Sequence, residues 1–128
     1  MVAQQNLKPN LILVDDHLIF RQGLKDMITI ENIAAVIGEA SNGVEFLKLL
    51  PTQKPDLVLM DIGLPFYSGF YWTNELRKLS QIPIIFISSA SDDMNQVTAM
   101  NQGADDIWFP VYSWPFFDYL IDNACGGN

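Results

Sequence analysis

Short apolar runs alternate along this chain with longer segments whose apolar residues recur at helical spacing. Runs of about four to eight apolar residues bounded by turn residues indicate buried strands. Five runs have this form, and they occupy residues 11–15, 33–40, 56–61, 83–88 and 106–111. Strands that alternate with helices predict an α/β fold in which helices cover both faces of a parallel sheet.

The segments between the runs carry the start and stop signals of helices. Ser41, Asn42 and Gly43 are a start signal for the second predicted helix, and Pro51 ends it. In the first predicted helix the residues near helical spacing are Leu18, Phe20, Leu24, Met27 and Ile28. The predicted helices cover residues 17–28, 44–50, 69–79 and 91–103, and a last segment capped by Ser113.

Three carboxylates stand at the ends of two predicted strands. Asp15 and Asp16 follow the first run, and Asp61 ends the third. The carboxyl ends of parallel strands open into one crevice, so we expect these three side chains to meet there. Two carboxylates about 4 Å apart repel by roughly 4 kcal/mol at an effective dielectric of about 20, and the cluster therefore calls for a divalent cation. Ligands that are all oxygen favour magnesium over zinc.

Composition narrows the class of protein. The 128 residues, 49% of them hydrophobic, suffice for one domain over residues 1–128 with a polar tail at residues 1–9. A net charge of −8 disfavours a nucleic-acid surface. Cys125 is the only cysteine, which excludes a disulfide framework and favours a semi-buried apolar role. No apolar run approaches the roughly 18 residues of a membrane span, so we expect a cytoplasmic protein with no membrane contact.

Four short motifs follow one another along the chain. They are VDDH at 14–17, MDIGLPFYSG at 60–69, the hydroxyl pair Ser88 and Ser89 after PIIFI, and GADD at 103–106. Together they resemble the receiver domain of bacterial two-component response regulators, over residues 10–125. The resemblance implies a CheY-like, doubly wound sheet of five parallel strands in the flavodoxin-like order 2-1-3-4-5, with five helices.

The resemblance also implies a role for each site residue. Asp61 corresponds to the phosphoacceptor, which takes a phosphoryl group from a sensor histidine kinase or phosphotransfer protein. Asp16 corresponds to the direct Mg²⁺ ligand, Asp15 to a ligand acting largely through water, and the backbone carbonyl of Gly63 to the neutral ligand. Ser88 corresponds to the hydroxyl that hydrogen-bonds the phosphoryl oxygen. The implied function is phosphorelay signalling, not turnover of an external substrate.

The last predicted strand departs from the family pattern. Receivers commonly read GADDYLxKP, whereas this chain reads GADDIWFPV, with Pro110 at the lysine position. Lys78 is the last basic residue, so a gap in the alignment does not supply another cation. The missing charge-assisted hydrogen bond is worth on the order of 1.5 to 3 kcal/mol. We therefore expect that phosphorylation changes the conformation only partly.

Aromatic residues crowd the end of the chain. Phe109 and Phe117, together with Phe70 earlier in the chain, are interpreted as core residues. A helix of this length cannot bury every aromatic side chain on one stripe. The candidates for an exposed surface that binds a second copy or an effector are Tyr112, Trp114 and Phe116.

Two classes of function stay open on the sequence. The favoured one is a phosphorylatable receiver, acting alone or as part of a longer regulator. The alternative is a pseudo-receiver, a protein-interaction module that does not switch on phosphorylation. An enzyme of the haloacid dehalogenase type is disfavoured, because it carries a second aspartate where this chain has Gly63. His17 is interpreted as a surface residue at a helix start and not as a metal ligand.

Overall fold

The structure is a computed structural model that describes residues 8–64, 67–87, 106–108 and 119–126. Its strands are β1 (Asn10–Val14), β2 (Ala35–Ala40), β3 (Leu57–Asp61), β4 (Ile84–Ile87) and β5 (Asp106–Trp108). Its helices are α1 (Leu18–Ile30), α2 (Gly43–Leu49) and α3 (Gly69–Arg77), and a π-helical turn covers Asp122–Gly126. The predicted helix at residues 91–103 and the predicted cap at Ser113 lie outside the described residues.

The five strands form one parallel sheet in the order β2-β1-β3-β4-β5. This is the order that the family resemblance implied. Val14 pairs with Met60 across β1 and β3, so the residues that follow them, Asp15 and Asp61, leave the sheet at the same level. The register alone therefore brings the carboxylates of two distant motifs to one edge.

Alternate residues of β1, β3 and β4 pack on opposite faces of the sheet, as a doubly wound fold requires. On one face Ile12 and Val14 pack with Phe46 of α2 and Trp72 of α3. On the other face the cluster consists of Leu11, Leu13, Leu57 and Leu59 with Leu24 and Ile28 of α1 and Leu120 and Ile121 near the C-terminus. The continuous apolar runs of the sequence are thus explained by burial on both sides.

Only some of the apolar residues of α1 are buried. Leu24 and Ile28 are buried, but Leu18 is 61% exposed and Phe20 is 39% exposed. Leu18 and Phe20 are near helical spacing with Leu24 and Ile28, but they lie outside the buried face of α1.

The start signal of α2 is confirmed. The side chain of Asn42 accepts a hydrogen bond of 2.9 Å from the Glu45 backbone N–H, and the Glu45 carboxylate accepts one of 2.7 Å from the Ser41 N–H. Next to this cap, Gly43 lies against the indole ring of Trp72, where an added Cβ would come within 1.9 Å of a ring atom. Only glycine permits this contact between α2 and α3.

The lone cysteine and one of the predicted core aromatic residues lie within the described residues. Cys125 is partly buried against the core, as predicted. Phe70 is partly buried, and its ring lies 5.1 Å from that of Phe86 in an edge-to-face arrangement. The remaining aromatic predictions lie outside the described residues, and they concern Phe109, Tyr112, Trp114, Phe116 and Phe117. None of the helices that the structure describes is long and apolar enough to cross a membrane.

Replacing Gly43 with alanine is expected to lower the free energy of unfolding by about 1 to 3 kcal/mol, because the new methyl group overlaps the Trp72 ring. Gly23→Ala is the matched control. Gly23 lies inside α1 with nothing within 4 Å of an added Cβ, so helix propensity predicts a gain of about 0.5 to 1 kcal/mol. Chemical denaturation measures both changes, and a Gly43→Ala protein as stable as wild type would contradict the packing.

Candidate functional site

The carboxylates of three aspartates meet at the carboxyl edge of the sheet. Asp15 and Asp16 directly follow β1, and Asp61 is the last residue of the neighbouring strand β3. One ligand atom from each of Asp15, Asp16, His17 and Asp61 lies within 4.8 Å of all the others. The predicted convergence of the three carboxylates is confirmed, and an imidazole joins them.

Asp15 is the buried member of this group. Its side chain is 1% exposed, and its Oδ1 atom accepts a hydrogen bond of 2.8 Å from the His17 backbone N–H. Burial raises the pKa of Asp15, and repulsion from Asp16 acts in the same direction, although the contacts with His17 oppose both. The fold therefore holds a carboxyl group in a place where its charge is poorly solvated.

The pKa of Asp61 is raised more strongly than that of Asp15. Burial raises its pKa to about 6, with further contributions from the negative charges of Asp15 and Asp16. The Gly63 backbone N–H donates a hydrogen bond of 3.0 Å to its Oδ1 atom and opposes this shift. Desolvated carboxylates with negative neighbours are stabilised by a hard divalent cation, so the donor set fits Mg²⁺.

The backbone at Asp61 is held by a close contact with α3. The Gly69 N–H donates a hydrogen bond of 2.9 Å to the Ile62 carbonyl, and a Cβ on Gly69 would lie 2.5 Å from the Asp61 carbonyl oxygen. Glycine at this position lets the start of α3 approach the strand end. Gly69 belongs to the MDIGLPFYSG motif, but the sequence did not predict this contact.

Arg21 is a site residue that the sequence analysis missed. Its Nη1 atom donates hydrogen bonds of 2.6 Å to the Asp15 carbonyl and 3.2 Å to the Ser41 hydroxyl. Its Nε atom donates one of 3.0 Å to Glu39, which also accepts one of 2.9 Å from Lys25. Burial would raise the pKa of Glu39, but these two cations hold it below its ordinary value.

This network ties the end of β1 to the end of β2 beside the cluster. A signal for it exists in the sequence, because Arg21 shares the i, i+3, i+7 stripe with the buried Leu24 and Ile28. A basic residue in an apolar stripe needs acceptors, and here they are a backbone carbonyl, a hydroxyl and a carboxylate.

His17 is at the start of α1 and its side chain is 70% exposed, as the surface interpretation expected. Two other predicted residues, Ser88 and Pro110, lie outside the described residues. Ile87, which precedes Ser88 in the chain, pairs with Asp61 across β4 and β3. The roles assigned to Ser88, Pro110 and the Gly63 carbonyl stay predictions.

Comparison with known proteins assigns the family. The model of the response regulator receiver domain matches residues 11–109. This chain belongs to the response-regulator receiver family. Members of the family bind Mg²⁺ at an aspartate cluster and serve as phosphoacceptors, and the cluster described above is of that kind.

Relatives of this receiver domain are longer regulators. Transcriptional regulatory protein YdfI of Bacillus subtilis is 30% identical over 118 residues, which cover 92% of this chain and 55% of YdfI. The uncharacterized transcriptional regulatory protein YvcP of the same species is 58% identical over 54 residues, or 42% of this chain and 23% of YvcP. This receiver chain thus spans about half or less of these curated relatives.

A solved structure supports the same assignment. The N-terminal domain of the nisin resistance regulator NsrR, a lantibiotic response regulator, is 37% identical with a TM-score of 0.77. The match covers 91% of this receiver chain and 97% of that domain.

The raised pKa of Asp61 predicts a pH-dependent stability in the presence of a chelator. The folded state binds the Asp61 proton more tightly than the unfolded state, so this contribution is present below pH 3.8 and lost as the pH rises through about 6. Asp61→Asn should therefore be more stable than wild type at pH 7 by roughly 2 kcal/mol, and by much less at pH 4.

Urea denaturation at several pH values measures the difference. Asp26→Asn, which removes an exposed carboxylate of α1 outside the cluster, is the control. A stability difference between Asp61→Asn and wild type that does not change with pH would contradict the electrostatic account.

Proposed function

We propose that Asp61 accepts a phosphoryl group from the phosphohistidine of a sensor histidine kinase or a phosphotransfer protein. The observation that carries the proposal is the convergence of Asp15, Asp16 and Asp61 at one sheet edge, in a chain that belongs to the receiver family. The chain is then a component of two-component phosphorelay signalling.

The proposed reaction needs only one covalent exchange. An oxygen of the Asp61 carboxylate attacks phosphorus, the phosphorus–nitrogen bond of the phosphohistidine breaks, and the imidazole of the partner leaves. The product on this chain is an aspartyl acyl phosphate. The protein contributes position, which comes from the pairing of β3 with β1 and β4 and from the contact of Gly69 with the Asp61 carbonyl.

The residues that would hold the metal are Asp16 and Asp61 as direct ligands, Asp15 through water, and the Gly63 carbonyl. Bound Mg²⁺ supplies positive charge that neutralises the carboxylates and the transferring phosphoryl oxygens. The burial of Asp15 and the Gly63 hydrogen bond to Asp61 fix where these ligands lie before any ion arrives. Ser88 is proposed to donate its hydroxyl hydrogen bond to a phosphoryl oxygen.

On this proposal, the chain is a single phosphorylated signalling domain in the cytoplasm and not an enzyme that turns over an external substrate. The longer relatives are named transcriptional regulators, which supports an output domain elsewhere in a longer protein. The net charge of −8 disfavours nucleic-acid contact through this domain. Contact with a second copy or an effector through Tyr112, Trp114 and Phe116 stays a prediction.

The second candidate is the pseudo-receiver, and one observation favours it. The usual lysine is replaced by Pro110, which carries no charge and has no N–H to donate. Driving a switch from 1:99 to 99:1 takes about 5.5 kcal/mol of differential interaction, so the loss of one charge-assisted bond is a large fraction of the total. Whether Asp61 is phosphorylated and whether phosphorylation changes the conformation are therefore separate questions for this chain.

Asp61 is predicted to be the sole phosphorylation site. Incubation with a small phosphodonor such as phosphoramidate and Mg²⁺ should add one phosphoryl mass to the wild-type chain, measured by intact mass spectrometry. Asp61→Asn should add none, because the nucleophilic carboxylate is gone, whereas the control Asp26→Asn should behave as wild type. A phosphoryl mass on Asp61→Asn would refute the assignment.

The missing lysine predicts a weak response to phosphorylation. Beryllofluoride with Mg²⁺ should shift the amide NMR signals around Asp61 but should change those of residues 90–120 only slightly, because Pro110 offers the mimic no ion pair. Pro110→Lys should enlarge the second set of shifts, and Pro110→Ala is the uncharged control. Large shifts throughout residues 90–120 of the wild type would show that switching does not require the lysine.

A further inference from the structure

Arg21 is a cation beside the aspartate cluster that pairs with none of its carboxylates. Its side chain is only 11% exposed, and among the described residues its ion-pair partner is Glu39, at 3.0 Å. Its contact with Asp15 is with the main chain, where Nη1 donates a hydrogen bond of 2.6 Å to the carbonyl oxygen. A nearly buried guanidinium group is therefore directed at the backbone that carries the carboxylates.

Hydrogen bonds hold the Asp15 backbone on both sides. Its N–H donates a hydrogen bond of 3.0 Å to the Ala40 carbonyl at the end of β2, and its carbonyl accepts the one from Arg21. The Asp15 carbonyl belongs to the planar peptide unit that ends at the Asp16 Cα atom. Its direction therefore sets where the Asp16 side chain leaves the backbone. Asp16 itself is exposed, so packing does little to fix that direction.

The guanidinium group is itself held in one place. Nε donates to Glu39 in β2, and Nη1 donates a second hydrogen bond, of 3.2 Å, to the Ser41 hydroxyl just after β2. Acceptors on separate residues fix the orientation of a planar group with several donors. The Glu39 carboxylate also balances the guanidinium charge, so the crevice gains a rigid donor with little added positive potential.

We propose that Arg21 is a positioning residue for the metal site. By holding the Asp15 carbonyl, it fixes the peptide between Asp15 and Asp16 in the orientation from which both carboxylates serve Mg²⁺. Residues that orient metal ligands without touching the metal typically contribute roughly 10- to 100-fold to affinity. The inference rests on the proposed function, since it takes these two aspartates as ligands of the ion.

Charge and position predict opposite results when Arg21 is replaced. Arg21→Gln removes a positive charge beside a cation site, so an effect through charge alone would tighten Mg²⁺ binding. Loss of the hydrogen bond to the Asp15 carbonyl would weaken it, because the peptide that carries Asp16 is no longer held. We expect the Kd for Mg²⁺, measured by NMR titration of the amide signals, to rise about tenfold.

Lys25→Gln is the matched control. Lys25 donates a hydrogen bond of 2.9 Å to the other oxygen of Glu39, so this variant removes the same charge from the same carboxylate. Within the described residues Lys25 makes no contact with Asp15, and the Kd for Mg²⁺ should not rise. Arg21→Lys keeps the charge but loses the planar fork, so its Kd should lie between those of wild type and Arg21→Gln. This variant also keeps the test open if the glutamine variant does not fold.

Three readouts separate positioning from a general loss of stability. In the metal-free protein the amide ¹⁵N signal of Asp16, which shares a peptide unit with the Asp15 carbonyl, should shift in Arg21→Gln and not in Lys25→Gln. Gly43→Ala, which is destabilised through the core, should bind Mg²⁺ as wild type does. Phosphorylation of Arg21→Gln by phosphoramidate should need more Mg²⁺ for half-maximal rate but approach the wild-type rate at saturation, because the bound ion then holds the carboxylates.

A Kd of Arg21→Gln at or below that of wild type would overturn the inference, and so would equal losses of affinity in Arg21→Gln and Lys25→Gln. The outcomes also separate this inference from the proposed function. A wild type that binds Mg²⁺ and is phosphorylated on Asp61, with a Kd that does not depend on Arg21, rejects only the positioning role. A wild type that binds no Mg²⁺ would reject the proposed metal site and the positioning role with it.

Discussion

Mutual repulsion of partly desolvated carboxylates is the constraint on which the rest of the site depends. Asp15 is almost fully buried, and Asp61 is buried enough for its pKa to rise to about 6 beside two other carboxylates. No packing requirement explains such an arrangement, because apolar residues would fill the space at lower electrostatic cost. The arrangement makes physical sense when a divalent cation or a phosphoryl group with its metal occupies the crevice.

The backbone around the cluster holds this unfavourable arrangement in place. Parallel pairing of β1 with β3 sets Asp15 and Asp61 at one level, and Gly69 allows α3 to rest against the Asp61 carbonyl. Arg21 holds the Asp15 carbonyl through a hydrogen bond and is itself held by Glu39. These contacts involve main-chain atoms or charges outside the cluster, so they leave the carboxylate oxygens available to a ligand.

Accepting a phosphoryl group and responding to it draw on different parts of the fold. The carboxylates come from the ends of β1 and β3, close to the middle of the sheet, whereas the lysine of other receivers follows the edge strand β5. Under the proposed function, the absence of the lysine would leave the proposed acceptor and metal ligands intact and would remove one link to the far edge.

The sequence by itself determined the strands and their parallel arrangement, because burial on both faces leaves continuous apolar runs such as residues 11–14. It also determined the meeting of three carboxylates, because the strand ends of one parallel sheet share an edge. It also determined where α2 starts, because the signal at Ser41, Asn42 and Gly43 is local. Only the tertiary structure decided that Leu18 and Phe20 are exposed, that Arg21 binds the Asp15 carbonyl and that His17 turns toward the cluster. Those outcomes depend on distances between elements far apart in the chain, and no periodicity along one helix carries that information.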